Sequence, residues 1–416
     1  MNKYLITLFF IICSSATFAV KADEKLEFHG FIEQGFIYTT NNPYYTDTAS
    51  GSADFRELAL NGSWQASDNF RLAGQVLARQ AGDSGNDYVD IDFLLADYQA
   101  YGNDAIQLGV RAGRFKIPYG IYNSTRDTSA SHAGAFVPNS VYFNTFRSLM
   151  LSSDGVNLYG AYTGENGYFS LDLYMGTRSL DDDSFEQYIF LSDIAGEFND
   201  VDINGFKLSY IPDGAHDLNF ALSLASPSFE LANAPSFEGV ALLNAFKDLS
   251  QNPQSFEKYF TDIDVDNHLY VASMQYGWQN WLFTAEYMYV NTSFSDIALL
   301  HQPQPEQDFS SNGFYIQGEL FLSSEFQGFW RYEELEFDID NSSTSEFKTE
   351  RSKSESFNYS KGVTIGVRWH FSENLFLSTQ YSANEGTAWL PVFEGRDNDA
   401  LKKYWQLLAF QLTYGF

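Results

Sequence analysis

Apolar and polar residues alternate one by one along most of this chain, rather than recurring every three or four positions. Phe70, Leu72, Gly74, Val76 and Ala78 alternate with Arg71, Ala73, Gln75, Leu77 and Arg79. Phe169, Leu171, Leu173 and Met175 interleave with Ser170, Asp172 and Tyr174. Trp281, Phe283, Ala285, Tyr287 and Tyr289 do so with Leu282, Thr284, Glu286 and Met288, and Val363, Ile365, Val367 and Trp369 with Thr364, Gly366 and Arg368. A period of two predicts strands with one apolar and one polar face.

The connections between these segments are more informative than the segments. Seven are tight and rich in turn formers: Ala66-Ser67-Asp68-Asn69, Gly102-Asn103-Asp104, Gly164-Glu165-Asn166-Gly167, Pro212-Asp213-Gly214, Gly277-Trp278-Gln279-Asn280, Ser323-Ser324-Glu325 and Ser372-Glu373-Asn374. Eight longer links fall near residues 40–53, 81–89, 115–154, 177–199, 226–267, 291–311, 338–357 and 384–403. Short and long links alternate, which predicts sixteen strands. An even strand number with short turns at one end and long loops at the other is the pattern of a transmembrane β-barrel. In hydrocarbon every backbone amide needs a partner, so an all-strand protein must close on itself. The predicted fold is therefore all-β, a sixteen-stranded antiparallel barrel with a long third loop. Trp64, Phe70, Trp281, Phe326 and Trp369 sit at strand ends, where aromatic girdles are placed. Phe410, Leu412, Tyr414 and Phe416 form one apolar face that resembles the terminal strand signal of outer-membrane barrels.

Residues 1–22 read as a cleaved signal peptide: Lys3, then a nearly unbroken apolar run from Leu5 to Ile12, then Ala19 or Ala22 before the cut. Cleavage before Asp23 is preferred, leaving residues 23–416 as one barrel domain. Cys13 lies within the leader, so the mature chain is expected to carry no cysteine and no disulfide. The strand Leu26-Glu27-Phe28-His29-Gly30-Phe31 follows at once, which leaves no room for an N-terminal plug. A barrel of this strand number without a plug is wide enough for an aqueous channel.

Composition sharpens the picture in two places. A formal net charge of −30 argues against nucleic acid as a partner. Against that background the stretch QLGVRAGRFKIPYG (107–120) is conspicuously basic. Gly113-Arg114-Phe115-Lys116-Ile117-Pro118-Tyr119-Gly120 resembles the G-x-F-K-x-P-F-G stretch of the phosphate-selective porin O and P family. Phe146-Arg147-Ser148-Leu149, leading to Gly155-Val156, is similar to that family's later Arg-Ser-Leu. The barrel pattern covers the mature chain and the motif match about 40 residues of it. The resemblance implies a Gram-negative outer-membrane porin, a homotrimer with one pore per subunit, and a third loop that forms the constriction, here 115–154. Between Ile117 and Phe146 the only basic residue is Arg126, beside Asp127, whereas the resemblance implies many in phosphate-specific members.

By parity Arg71, Arg79 and Arg111 face the lumen, with Lys207 and Arg368 elsewhere and Glu33, Glu57, Asp172, Glu286 and Glu319 on the same face. Lys116, Arg126 and Arg147 join them from the loop. Rings of charge select ions by sign, so this set reads either as a basic wall attracting anions or as arginines that pair with luminal carboxylates and brace the wall. Strict alternation puts Arg114 on the lipid side, which places it at the outer rim or on a bulge. Residues 237–249 predict a short helix in the fifth loop, with the preceding serine as its cap. Asp181-Asp182-Asp183, Glu333-Glu334-Leu335-Glu336 and the Asp-rich stretch 262–266 fall in or beside the long outer links.

The six histidines show no metal-ligand spacing, and Gly-x-Ser-x-Gly is missing, so no metal, cofactor or catalytic residue is assigned. The function this supports is passive diffusion of small hydrophilic solutes, with an anion bias, through a channel in contact with outer-membrane lipid and lipopolysaccharide. Two alternatives stay open: a channel specific for phosphate or another small anion, and a surface adhesin or receptor using the acidic fifth loop.

Overall fold

The computed structural model describes residues 25–82, 88–142, 144, 147–179, 197–214, 217–232, 234, 236–252, 258–337, 355–391 and 400–416. The expected leader, Asp181-Asp182-Asp183, Phe146 and His216 lie outside the described residues. Sixteen strands build the wall. They are β1 Leu26–Thr39, β2 Ser52–Ser67, β3 Phe70–Ala81, β4 Tyr88–Gly102, β5 Ile106–Lys116 and β6 Ser152–Gly164. Next come β7 Gly167–Arg178, β8 Val201–Pro212, β9 Leu218–Ala232, β10 Phe260–Trp278 and β11 Trp281–Leu299. The last five are β12 Gln307–Phe321, β13 Phe326–Glu336, β14 Tyr359–His370, β15 Leu375–Gly386 and β16 Tyr404–Gly415. Two further two-residue ladders, Glu197–Phe198 and Gln302–Pro303, lie against the ends of β9 and β11.

Each strand pairs antiparallel with the next, and β16 returns to β1 from Phe31↔Gly415 to Thr39↔Leu407. No edge is left open, as a spanning sheet requires. The seam is finished by Phe416, whose N–H donates to the Gly30 carbonyl at 2.9 Å while Gly30 donates back at 3.0 Å. Gly30 is required here, because a Cβ would stand 2.4 Å from the Phe416 ring and 2.6 Å from the Ala59 carbonyl oxygen.

The alternation sorts the faces as expected. Leu60, Trp64, Leu94, Leu108, Leu158, Met175, Ile365 and Leu412 are exposed on the outer surface, while Glu33, Glu57, Gln317, Arg331, Arg368 and Gln411 are buried inside. Trp369 and Phe326 stack at 5.6 Å near the short-turn end.

Two strands run further than the pattern suggests. The links expected over 226–267 and 291–311 shrink to 233–259 and 300–306, because β10 and β11 are each 19 residues long. The alternation does not stop in β10; it changes sign. Tyr270, Met274 and Tyr276 face out in its lower half, opposite inward Ser273 and Gln275, whereas above them Asp262, Asp264 and Asp266 turn away from inward Ile263 and Val265. An outer face standing in water is polar, and the inner face there packs into an apolar core with Phe198, Phe229 and Phe294. The Asp-rich stretch is thus strand, not loop. Glu333, Glu334 and Glu336 close β13, directly beside the long link that follows it.

The third link is Ile117 to Leu151, since β5 carries through Lys116 and β6 begins at Ser152. Lys116 is therefore a strand residue rather than a loop one. The helix of the fifth link is α1, Gly239–Gln251, two residues later than expected. Its N-cap is Glu238, without a side-chain capping bond, so the preceding serine falls outside it.

Candidate pore and constriction

Three features turn the chain after β5 away from the wall. Pro118 cannot donate to a ladder, Asn123 donates to the carbonyls of Ile117 and Met150 at 2.9 and 2.6 Å, and Gly120 has φ +54. A side chain at Gly120 would collide with the Tyr142 hydroxyl at 2.1 Å. Two 3-10 turns, Asn123–Thr125 and Ser129–Ser131, follow before the segment returns through Arg147.

The root of this segment is an ion network. Lys116 bonds Asp92 and Asp127, the latter at 2.7 Å. Arg147 reaches Asp127 at 2.5 Å through Nη2 and 3.2 Å through Nε. Arg79 Nε donates to Glu57 at 2.6 Å, and Gln75 donates to Asp92 at 2.7 Å. Burial works to raise the pKa of Asp127, but Arg147 and Lys116 overcome it and hold the carboxyl far below the ordinary range. Arg147 shows the counterpart: burial opposes its charge, yet Asp127 raises its pKa.

Beyond the root, the segment meets inward side chains of β8, β9 and β11 to β15. Glu286 on β11 accepts four donors: Ile121 N–H at 2.8 Å, Ser273 Oγ at 2.6 Å, Tyr142 Oη at 2.6 Å and Tyr315 Oη at 2.7 Å. Lys207 donates to the Gly120 carbonyl at 2.6 Å, and the Gly120 N–H donates to Ser223 at 3.0 Å. Arg368 places its guanidinium among the carbonyls of Ser129 (2.5 Å), Ala130 (3.3 Å) and His132, above the Phe376 ring. Arg331 donates to the Phe136 carbonyl at 3.3 Å, Gln380 accepts from Ala135 at 3.0 Å, and Glu333 accepts from Ser140 at 3.1 Å. Charged groups of the wall thus hold the main chain of the segment. Burial, then Arg368, lowers the pKa of His132 to about 3, so this histidine is neutral where it sits.

Nine of the side chains singled out from the sequence fall into three places. Arg79, Lys116, Arg126, Arg147 and Glu57 meet at the root, and Glu33 lies beside them through the register Glu33↔Glu57, bonded to Gln411 at 2.6 Å. Glu286 stands on the far wall. Arg71 and Arg111 occupy a separate row. Arg71 and Arg111 share Asp97 at 3.4 and 3.5 Å, and Arg111 also reaches Asp172 at 3.2 Å, which faces Lys207 across the register. Arg71 keeps 46% of its side chain exposed.

Arg114 shares the outward register with Leu94 at the end of β5, where Asp154 (2.7 Å) and Asp90 (3.2 Å) clamp it. Asp92, Asp97, Arg331, Glu333 and Gln380 were not singled out. Asp92 sits where the β3–β4 register slips between Gln75 and Val76, so alternation misassigns it. Parity alone does point Arg331 and Glu333 inward.

Neither the family models nor the curated proteins contain a match to this chain. Solved structures do match in fold. The trimer form of OmpT, an outer-membrane protein of Vibrio cholerae, aligns with TM-score 0.53 at 10% identity, covering 94% of this chain and 99% of that one. An anion-selective porin from Comamonas acidovorans aligns with TM-score 0.54 at 12% identity, covering 94% and 99%. The outer-membrane channel DcaP of Acinetobacter baumannii gives 0.52 at 9%, covering 94% and 97%. The shared property is the porin-like barrel.

Proposed function

We propose that this chain is a passive outer-membrane channel of a Gram-negative bacterium, which lets small hydrophilic solutes diffuse through the barrel past a constriction formed by residues 117–151. The observation that carries this reading is the set of wall-to-loop bonds from Glu286, Arg331, Glu333, Arg368 and Gln380, which hold the third link against strands far from its root. The pairing of the luminal arginines favours weak charge selection. In the row below the loop, Arg71, Arg111 and Lys207 face Asp97 and Asp172, an excess of one positive charge. A modest preference for anions follows. A phosphate-specific channel finds less support, since Lys116, Arg147 and Arg79 are each occupied by carboxylates. The fold neighbours, one of them in trimer form, make a homotrimer in lipid and lipopolysaccharide the working assembly.

Single-channel recording in planar bilayers, with a reversal potential across a salt gradient, tests this. Discrete steps and a small anion-signed potential are expected. Absence of steps would overturn the channel, and a cation-signed potential would overturn the charge reading.

A second reading has one observation in its favour. Helix α1 presents Val240, Leu243 and Phe246 at 73%, 69% and 49% exposure, an apolar stripe of the kind that docks a partner. Deleting 239–251 and measuring both conductance and cell adherence separates the two: a channel loses neither.

A further inference from the structure

Between the root of the third link and the wall lies a pocket of about 40 Å³, lined by Arg79, Arg126, Arg147, Glu57, Asp127 and Tyr142 among others. A single water needs about 10–15 Å³ of such space, so the pocket has room for a small occupant. Two of its donors lack partners among the described residues: Nη1 of Arg79 and Nη1 of Arg126. Arg79 is only 7% exposed. Its other nitrogens are used, Nε on Glu57 at 2.6 Å and Nη2 on Asn144 at 3.4 Å, and Arg126 Nη2 donates to the Tyr142 carbonyl at 2.9 Å. A buried guanidinium N–H without an acceptor is costly.

We propose that this pocket binds one small monovalent anion, chloride in the cell, which accepts from Arg79 Nη1 and Arg126 Nη1 and thereby locks the third link to β2 and β3. Charge separates this from a bridging water. Three guanidiniums line the pocket against two carboxylates, Glu57 and Asp127; both orphan donors are cationic, while the one orphan acceptor of a lining residue, Gln411 Oε1, is neutral. A water accepts the same two bonds but leaves the excess positive charge buried, whereas a halide removes it. Burial lowers the pKa of Arg126, and Arg147 lowers it further, against the opposing effect of Tyr119 and Asp127. The pocket holds no bulk for a phosphate or a carboxylate solute. The inference rests on these side chains alone, so it stands whether or not the barrel conducts.

The test uses the whole barrel in detergent. Crystals grown with bromide in place of chloride are expected to show an anomalous peak within hydrogen-bond reach of both guanidiniums. The midpoint of heat-induced unfolding is expected to rise with chloride over gluconate at constant ionic strength, and Arg126→Gln is expected to abolish that rise. A refined water without anomalous signal would overturn the proposal. So would a bromide peak with no halide dependence of unfolding, which would make the ion adventitious only. If Arg126→Gln fails to assemble, the bromide experiment and the wild-type chloride titration decide alone.

Discussion

Asp127→Asn is the sharpest probe of how the constriction is held. Asp127 is the single carboxylate bridging Arg147, at 2.5 Å, and Lys116, at 2.7 Å, and all three side chains are largely buried. The amide keeps the shape and one acceptor oxygen but removes the charge, stranding Arg147 and leaving Lys116 with Asp92 alone. Breaking one partner of a buried pair costs about 3–5 kcal/mol. At about 1.4 kcal/mol per tenfold, the anchored population of the loop relative to its detached form falls by about two to four powers of ten. The barrel ladder itself is untouched, so the variant should insert and assemble while its loop becomes mobile. Single-channel recording should then show larger and noisier steps with frequent substates, and limited proteolysis should open a cut within 117–151.

The same bond sets a pH dependence. The folded carboxyl of Asp127 lies below its unfolded value, so its stabilisation is fully present above the unfolded pKa and is lost as the pH falls below about 4. Wild-type channels should therefore become noisy in acid, and Asp127→Asn should be noisy at every pH. A variant with wild-type steps and wild-type protease resistance would refute the reasoning, because it would mean that the ion network does not hold the loop.

Other perturbations probe other parts of the structure. Glu286→Gln leaves one acceptor oxygen for four donors, so about 1.5–3 kcal/mol is expected to be lost for each charged hydrogen bond broken, seen as raised channel noise with unchanged barrel melting. His132, lowered to about 3, adds stability that is complete above about 6.5 and declines toward pH 3; His132→Asn should flatten the part of the acid-induced noise that begins above pH 4. Arg71→Gln with Arg111→Gln leaves Asp97 without its two cations, so the reversal potential should move toward cations. Gly30→Val drives a side chain into Phe416 and the Ala59 carbonyl, costing about 1–3 kcal/mol at the seam and lowering the yield of assembled barrel on a heat-modifiability gel.

Strand number and facing were legible because hydrocarbon enforces them: Leu108, Val110 and Ala112 had to face outward, and Arg111 inward, for β5 to span at all. The limits of β10 and β11 were not legible, because the rule that marks a spanning strand changes sign at the water boundary. Asp262, Asp264 and Asp266 look like loop residues until Ile263 and Val265 are seen packing behind them. The anchors of the loop were hidden for a different reason. Parity turns Glu286 and Arg368 inward, but among their partners are backbone groups at Ile121 and Ser129, 165 and 239 residues away. Main-chain acceptors and donors leave no mark in a sequence.

That hidden chemistry changes what the wall charges do. A luminal arginine free to face water adds to the field across a pore, and a reader of the sequence counts it as a selectivity element. Arg368 and Arg331 instead reach peptide carbonyls of one loop, Glu286 accepts from a loop N–H and three hydroxyls, and the root charges terminate on each other. Charges so engaged contribute little to ion preference and much to rigidity, because each must break charged hydrogen bonds before the loop can move. The selective field is left to the row Arg71, Asp97, Arg111 and Asp172, where cations and carboxylates alternate around the wall, and to Lys207 opposite Asp172, whose ammonium spends one bond on the Gly120 carbonyl. A solute passing that row meets near-cancelling charges at short range. On the proposed channel function, the barrel then discriminates first by the width its anchored loop leaves open, and only weakly by the sign of what passes.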